Sequence, residues 1–352
     1  MLTLLADENM PMVDELFADF CWIERKAGRA ITNTDLQDVD ILLVRSITQV
    51  NQALLQKTPV KFVGTATIGT DHIDLDYLQQ SEIEFSDAAG CNAQAVAEYV
   101  LAAIAYWSNN KRLDLSQVTV GIIGAGNVGT KLSRLLDHIG IDYLLNDPLL
   151  ESTDDERDFV SLDTVSQCQI VTCHVPLSKA GEHPTYHLID KSFLAKMQDD
   201  SLLINSSRGA VLDNLAALET ARSEKSVEFV LDVWEQEPRL NPQLLEKCLI
   251  GTSHIAGYSL EGKIRGTYYL YQATRNWLAK DSSVSLESLL PNTLLWQKPN
   301  HLADLHDSLK PFYDIKEDDL ALRNISRFDS ERIAKEFDLL RKNYKNRLEY
   351  YR

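Results

Sequence analysis

The sequence predicts an α/β protein whose main domain is a doubly wound parallel sheet. Short apolar segments with strand character alternate with longer helical patterns, as they do where crossover helices join parallel strands. A glycine-rich turn follows one of these segments and opens a helical pattern. The 352 residues, 44% hydrophobic and 25% charged, are enough for two or three domains with buried cores.

The first ninety residues are predicted to form a smaller α/β domain. Its strand candidates are Leu2–Ala6, Ile41–Val44 and Lys61–Gly64, separated by polar stretches long enough for helices. The segment Ala93–Trp107 is rich in alanine and apolar nearly all round. We therefore expect a long buried helix that leads into the next domain.

From Val118 onward the strand and helix signals repeat more strictly, which favours a parallel sheet with helices on both faces. The strand candidates here are Val118–Ile123, Tyr143–Asn146, Gln169–Cys173, Ser201–Asn205, Val227–Val233 and Leu249–Gly251.

The composition changes after about Lys280, where serine-rich and proline-bearing stretches begin, and this predicts a third unit. Its end, Ser330–Arg352, is predicted to be a charged helix with a narrow apolar seam. Packing on its own domain and packing at a subunit interface remain equally open for this helix.

Charge and cysteine content exclude several classes of partner and compartment. Lys and Arg number 35 against 52 Asp and Glu, and the net charge of −17 repels nucleic acid and anionic membranes. The N-terminus has no basic segment or apolar stretch typical of export, and the five cysteines are scattered. We expect a cytoplasmic protein. His183 and His187 fit no metal-binding spacing, so no metal is predicted.

The turn Gly124–Gly129 has the spacing of a dinucleotide-binding site, G-x-G-x-x-G. Gly124 permits a tight turn, Gly126 lets the backbone approach a pyrophosphate, and Gly129 allows close packing of helix on strand. Asn127 precedes the helical pattern Val128–Ile139, and the free N–H groups at the start of that helix attract phosphate. Asp147 ends the next strand candidate, where its carboxylate would bind ribose hydroxyls and repel a 2′-phosphate. The sequence therefore predicts NAD rather than NADP.

Three charged residues each follow a strand candidate at the edge where open α/β sheets bind ligands: Arg208, Glu237 and His254. Beside a nicotinamide, an imidazole can take the proton of a substrate hydroxyl, and a carboxylate can orient that imidazole. A guanidinium can bind a substrate carboxylate through two parallel hydrogen bonds. The trio therefore indicates hydride transfer from a 2-hydroxy acid.

These motifs resemble the D-isomer-specific 2-hydroxyacid dehydrogenases over about residues 1–280. The resemblance rests on Gly64–Asp74, on Gly90–Ala93 with Val96–Glu98, and on the segments that carry the charged trio. It implies a Rossmann-type NAD-binding domain at 94–256 and a flavodoxin-like substrate domain at 1–93 plus about 257–280. It further implies a small α+β dimerisation domain at 281–352.

Val44–Ser46, Ala66–Gly69 and His254–Lys263 narrow the resemblance to a member of the family that oxidises a phosphorylated 2-hydroxy acid as a homodimer. By this resemblance Arg45, Ser46, Thr67 and Tyr258 bind substrate. Further residues are implied to line the cofactor site: His174, Val175, Pro176, Ser206, Ser207, Asp232 and Gly257.

Two alternatives stay open. One is another member of the family, acting on 3-phosphoglycerate or glyoxylate. The other is a non-catalytic NAD-sensing binding protein, because fold alone does not determine function.

Overall fold

The chain, described here from a computed structural model at residues 1–281 and 284–351, divides into two compact units. The first contains Met1–Asn92 and the described part of Ser259–Thr293. The second contains Ala93–Tyr258 and the described residues from Leu294 onward. The three-domain division with a boundary near residue 280 stays a prediction. Ser282, Ser283 and Arg352 lie outside the described residues.

Strands and helices alternate through most of the described chain, with short 3₁₀ turns between several of them. The strands are β1 (Leu2–Asp7), β2 (Cys21–Lys26), β3 (Ile41–Val44), β4 (Phe62–Thr65), β5 (Glu84–Ser86), β6 (Thr119–Ile123), β7 (Asp142–Asn146), β8 (Ile170–Cys173), β9 (Ser201–Asn205), β10 (Val227–Leu231) and β11 (Ile250–Gly251). The helices are α1 (Val13–Phe17), α2 (Gln52–Leu55), α3 (Leu75–Gln80), α4 (Ala93–Lys111), α5 (Asn127–Ile139), α6 (Pro148–Glu151), α7 (Leu162–Ser166), α8 (Lys191–Lys196), α9 (Asn214–Arg222), α10 (Pro242–Lys247), α11 (Leu260–Trp277), α12 (Leu305–Leu309), α13 (Ile315–Ile325) and α14 (Ser330–Lys342).

The first unit is built on a five-stranded parallel sheet in the order β2-β1-β3-β4-β5. This is the flavodoxin-like order, and it confirms the predicted class of this part of the chain. Val44 pairs with Thr65, so the segments that follow β3 and β4 leave the sheet side by side. Helix α11 packs on this sheet, where Leu270 lies against Gly64.

The second unit is built on a six-stranded parallel sheet in the order β11-β10-β9-β8-β6-β7. The chain leaves β7 at one edge and returns across β6 to β8, so the strand order reverses between β6 and β8. Phe159 forms a single parallel bridge to Leu145, beyond β7. Ligands bind at such a reversal, outside the carboxyl ends of the strands. The Rossmann-type prediction is confirmed.

The C-terminal segment differs from its prediction in two ways. The last helix ends at Lys342 rather than Arg352, because tertiary contacts hold the described residues beyond it outside a helix. Arg347 donates to the carbonyls of Ala95 and Ala256, and the amide of Tyr350 donates to Glu98. The predicted α+β character is also wrong: residues 294–351 contain helices but no strand, and one backbone bond from Trp296 to Tyr350 makes no ladder.

Two further observations concern the state of the cysteines and the character of the helices. All five cysteines are buried, and none of them forms a disulfide bond. No helix within the described ranges combines the length and the apolar character needed to cross a bilayer.

Glu98 lies in the middle of α4, fully buried, and accepts hydrogen bonds from the amides of Tyr350 and Tyr351. Burial raises its pKa from 4.5 to about 8, although the charge of Arg347 opposes the shift. The unfolded chain therefore loses this proton at a lower pH than the folded protein does. This group favours folding below about pH 4.5, and its contribution is lost as the pH rises to about 8.

We expect Glu98→Gln to remove this loss, because the amide oxygen can still accept from both backbone groups. The free energy of unfolding of the variant, relative to wild type, should increase by about 1–3 kcal/mol between pH 5 and pH 8. Urea unfolding at several pH values measures this difference, with the exposed Glu246→Gln as control. Parallel pH curves for Glu98→Gln and wild type would contradict the expectation.

Candidate active site

The glycine-rich turn after β6 forms a cradle at the N-terminus of α5. Gly124 has a φ of +92°, and a Cβ atom there would lie 2.7 Å from the carbonyl oxygen of His174. A Cβ on Gly129 would lie 2.2 Å from the carbonyl oxygen of Gly124. A Cβ on Gly126 would meet nothing within 4 Å. The space at Gly126 is therefore open, and the start of α5 has no side-chain cap, as a site for pyrophosphate requires.

Asp147 directly follows β7 and caps the N-terminus of α6, and its carboxylate also accepts a hydrogen bond from the glycine-rich turn. One oxygen accepts from the amide of Ala125 at 2.9 Å and the other from the amide of Leu150 at 3.2 Å. A cavity of about 390 Å³ opens beside them. Its lining includes three cationic side chains and is made of Ala125, Gly126, Asn127, Thr130, Lys131, Arg134, Leu150 and Arg157.

Residues after β8 and β9 border the same sheet edge. Burial lowers the pKa of His174 to about 3, so the ring stays neutral, and one ring nitrogen bonds the hydroxyl of Thr172. Ser207 uses its hydroxyl within the fold, donating to the side chain of Asn205. The hydroxyl of Ser206 is buried and has no hydrogen-bond partner in the described part of the chain. An unsatisfied buried hydroxyl indicates a missing ligand.

The orphaned hydroxyl of Ser206, the open cradle at Gly126 and the carboxylate of Asp147 together fit a dinucleotide such as NAD. The remaining predicted residues lie close to this set in the chain. The side chain of Val175 lies 2.9 Å from where a Cβ on Gly124 would be. Val128, on α5, is partly buried against the hydrophobic core of the second unit. Pro176 and Gly257 are exposed and half-buried, respectively. Their roles toward the cofactor stay predictions.

The charged trio comes from three neighbouring strands of the second sheet. Arg208 follows β9, Glu237 follows β10 and His254 follows β11, and these strands are adjacent in the sheet. The turn after Arg208 packs directly on the next segment, since a Cβ on Gly209 would lie 2.0 Å from the carbonyl carbon of Trp234. The structure thus brings the three predicted segments to one edge.

Glu237 and His254 form a close pair. Nδ1 of His254 lies 2.5 Å from one carboxylate oxygen of Glu237, and the other oxygen accepts from the amide of Trp234. Burial by itself would raise the pKa of Glu237, but the charge and hydrogen bond of His254, with a contribution from Arg341, hold it below its usual value. This leaves Nε2 of His254 as the ring nitrogen for a substrate proton.

Asp232 holds the loop that carries His254. Its carboxylate, almost fully buried, accepts from the hydroxyl of Thr252 at 2.6 Å and from the amides of Ile255 and Ala256. The amide of His254 donates to the backbone oxygen of Asp232. The structure therefore gives Asp232 a clear part in the loop, and its role toward the cofactor stays a prediction.

The predicted substrate residues lie in both units. Arg45 and Ser46 follow β3 in the first unit, and Thr67 follows the neighbouring β4. Tyr258 lies in the second unit, at the end of the loop that carries His254. The first unit adds a cation that sequence reasoning missed, Lys263 on α11. Burial, and then the charge of Arg45, lower the pKa of Lys263.

A second set of residues missed from the sequence ties the turn after β9 to the segment after β10. One ring nitrogen of His187 lies 2.8 Å from Glu235, whose carboxylate also accepts from the amide of Asn214. Asp213 lies 3.8 Å from the other ring nitrogen. No local pattern indicates this brace, because its members are far apart in the chain. Hydrogen bonds within the brace account for these atoms, and the absence of a metal stays a prediction.

Comparisons with known proteins agree with this geometry. The profile of the D-isomer specific 2-hydroxyacid dehydrogenase, NAD binding domain, matches residues 94–256. Relatives from Shewanella loihica and Pseudomonas aeruginosa are 45% and 44% identical, over 99% of this chain and 93% of their own length. A D-lactate dehydrogenase structure from Aquifex aeolicus, complexed with NAD and lactic acid, shares the fold with a TM-score of 0.65. It is 22% identical, over 78% of this chain and 95% of its own.

The chain belongs to the D-isomer-specific 2-hydroxyacid dehydrogenase family, and it is an NAD-dependent dehydrogenase. The Shewanella and Pseudomonas relatives are both named erythronate-4-phosphate dehydrogenase. The narrower resemblance predicted from Val44–Ser46, Ala66–Gly69 and His254–Lys263 is thereby confirmed, and the homodimer that it implies stays a prediction.

Proposed function

We propose that this protein oxidises 4-phospho-D-erythronate to 3-hydroxy-2-oxo-4-phosphooxybutanoate with NAD, a step of pyridoxal 5′-phosphate biosynthesis. The single observation that carries the proposal is the His254–Glu237 pair at 2.5 Å, at the same sheet edge as the glycine cradle. The names of the full-length relatives supply the substrate.

The chain's own residues divide the work of oxidation. Nε2 of His254 accepts the proton of the C2 hydroxyl, and the negative charge of Glu237 stabilises the imidazolium that forms. Arg208 binds the substrate carboxylate, and its charge polarises the neighbouring C2–O bond of the forming ketone. NAD, when bound, supplies the acceptor for the hydride that leaves C2.

Substrate recognition is assigned to the residues that the sequence singled out. Arg45, Ser46, Thr67 and Tyr258 supply a cation and hydroxyls for a phosphorylated acid, and Lys263 adds a second cation. An overall charge of −17 repels a phosphate dianion, so local cations are needed to bind it. Asp147, His174, Val175, Pro176, Ser206, Ser207, Asp232 and Gly257 are assigned to the cofactor.

The proposal includes a homodimer in the cytoplasm, joined partly through the C-terminal segment. Three exposed leucines in the C-terminal segment are consistent with a surface that a second subunit covers. They are Leu320 on α13, Leu339 on α14 and Leu348 after α14. Sedimentation of the purified protein measures the oligomeric state directly.

Substrate choice is tested by NADH formation with 4-phospho-D-erythronate, D-3-phosphoglycerate and D-glycerate, with the 2-oxo product trapped to draw the reaction forward. We expect kcat/KM for 4-phospho-D-erythronate to exceed that for the other acids by at least about 10²-fold, since the lost contacts leave buried polar groups unpaired. NADP in place of NAD should be used poorly, because Asp147 repels the 2′-phosphate.

Preference for another acid would keep the family and the mechanism and refute the substrate assignment. Tight binding of NAD without turnover of any acid would favour a non-catalytic NAD sensor instead.

A further inference from the structure

The loop that carries His254, residues 252–258, has a backbone that must be held in place. His254 has a φ of +57°, in the left-handed region that is uncommon for residues other than glycine. Such a conformation persists only where the surrounding structure fixes it. Asp232, directly after β10, binds the loop through the amides of Ile255 and Ala256. Further contacts come from the C-terminal segment, residues 294–351.

The first of these contacts lies at β11, the two-residue edge strand that leads into the loop. The amide of Gly251 donates to a carboxylate oxygen of Asp319, on α13, at 2.9 Å. Asp319 is almost fully buried, and its two oxygens accept from Arg323 at 2.9 Å and from Lys316 at 2.6 Å. A paired carboxylate thus occupies a position at this sheet edge that a further strand would otherwise take.

Arg323 extends the same attachment to the chain just before β11. Its two terminal nitrogens donate to the carbonyl of Leu245 at 3.0 Å and to that of Cys248 at 2.7 Å. Both carbonyls lie at the end of α10. Helix α13 therefore holds the turn between α10 and β11 as well as β11 itself.

A second contact lies on the other side of His254 in the chain. Nη2 of Arg347 donates to the carbonyl of Ala256 at 2.7 Å and to that of Ala95, on α4, at 2.9 Å. The Arg347 side chain is buried, and its guanidinium carbon lies 4.3 Å from the centre of the Tyr313 ring. The donor to the loop is thus held by packing on an aromatic ring as well as by its hydrogen bonds.

The contacts of the C-terminal segment therefore lie on both sides of His254. Gly251 precedes it and Ala256 follows it, and Tyr258 packs edge-on against Tyr344, with the ring centres 5.9 Å apart. The residues that make these contacts lie outside the matched NAD-binding domain, 94–256. The strained backbone of His254 is held in part by a segment that follows this domain in the chain.

We propose that Asp319 and Arg347 are positioning residues for catalysis, which hold the loop 252–258 so that His254 keeps its hydrogen bond to Glu237. The reaction itself rests on the function proposed above. The C-terminal segment then serves catalysis within its own subunit, in addition to any part in assembly.

The test removes each contact and compares the result with a conservative replacement. Arg347→Met and Asp319→Ala remove the hydrogen bonds to the loop segment, whereas Arg347→Lys keeps a donor and Asp319→Asn keeps an acceptor. Tyr350→Phe is the matched control, because it removes a hydrogen bond between the same C-terminal segment and α4, from the Tyr350 hydroxyl to the carbonyl of Glu98.

Two kinds of measurement are made under conditions in which each variant is folded. Steady-state kinetics with the best 2-hydroxy acid give kcat and KM, and calorimetry gives the affinity for NAD. Hydrogen exchange of the amides in residues 252–258 is followed by mass spectrometry without substrate. The amides of β8 serve as the internal reference, because they report opening of the whole unit.

We expect Arg347→Met and Asp319→Ala to lower kcat by about 10–10²-fold, because a small displacement of a catalytic group costs this much, with NAD affinity within about twofold of wild type. The loop amides should exchange at least about 10-fold faster relative to those of β8. Arg347→Lys and Asp319→Asn should recover most of both losses, and Tyr350→Phe should behave as wild type.

In an enzyme that turns over, a wild-type value of either kcat or loop exchange in both Arg347→Met and Asp319→Ala would overturn the proposal. An equal loss in Tyr350→Phe would overturn it as well, because the effect would then follow stability rather than the loop. If one of the two variants fails to fold, the other carries the comparison. Hydrogen exchange needs no turnover, so faster loop exchange in a protein that oxidises no acid would support the hold on the loop and refute only the proposed function.

Discussion

Replacing His254 with asparagine is expected to lower kcat by about 10³-fold, within the range that a positioned general base contributes, while NAD binds as in wild type. The imidazole supplies the only assigned acceptor for the hydroxyl proton, and asparagine has no basic nitrogen to replace it. The measurement is NADH formation under saturating substrate, with NAD affinity measured by calorimetry.

Asparagine is the suitable replacement because His254 has a φ of +57°. Asparagine tolerates this left-handed conformation better than most side chains do, so the loop should keep its shape. Its amide can also donate to the carboxylate of Glu237, which avoids leaving that buried group unpaired. His301→Asn, at an exposed position, is the control for the substitution itself.

Normal turnover by the His254→Asn variant would refute the proposed mechanism. Loss of NAD binding together with activity would mean that the substitution disturbed the sheet edge as a whole, and the experiment would then report on folding rather than on proton transfer.

The second large effect is expected at the glycine cradle, where alanine at Gly126 should impair NAD binding and alanine at Gly129 should impair stability. Gly126→Ala should weaken NAD binding by at least about 10²-fold and leave thermal stability unchanged, because its Cβ meets only open space in the protein itself. Gly129→Ala should lower the free energy of unfolding by about 1–3 kcal/mol, because its Cβ would overlap the Gly124 carbonyl.

Calorimetric titration of NAD and thermal unfolding without NAD separate the two effects. Gly181→Ala is a useful reference for a loop glycine, since it has a positive φ and open surroundings but lies away from the cradle. Unchanged NAD affinity in Gly126→Ala would show that the pyrophosphate does not approach this backbone.

Much of the fold and of the candidate site was predictable because the signals are local. Buried parallel strands are continuous apolar runs, so β3 and β9 were predicted with their observed bounds. A tight turn against a helix N-terminus requires glycines at fixed spacing, which located the cradle and Asp147. The trio was predictable because each member directly follows a strand, and the carboxyl ends of parallel strands meet at one edge.

The two edge strands of the first sheet, β2 and β5, gave no such signal. In β2, Trp22, Glu24 and Arg25 are exposed and Cys21 alone is buried, and β5 is a three-residue strand with an exposed start. Neither needs an apolar run, so neither was predicted. The single parallel bridge of Phe159 beyond β7 escaped prediction for the same reason.

The sequence by itself determined the α/β class and predicted the dinucleotide site and the charged trio, because each rests on a local signal: an apolar run, a fixed glycine spacing, or a charged residue that follows a strand. Only the tertiary structure decided where the last helix ends, since hydrogen bonds from Arg347 and Tyr350 to distant segments replace helical ones. It likewise decided that His187 pairs with Glu235 and that Asp232 holds the loop of His254. Such pairings depend on how distant segments pack, and no local spacing in the chain encodes them.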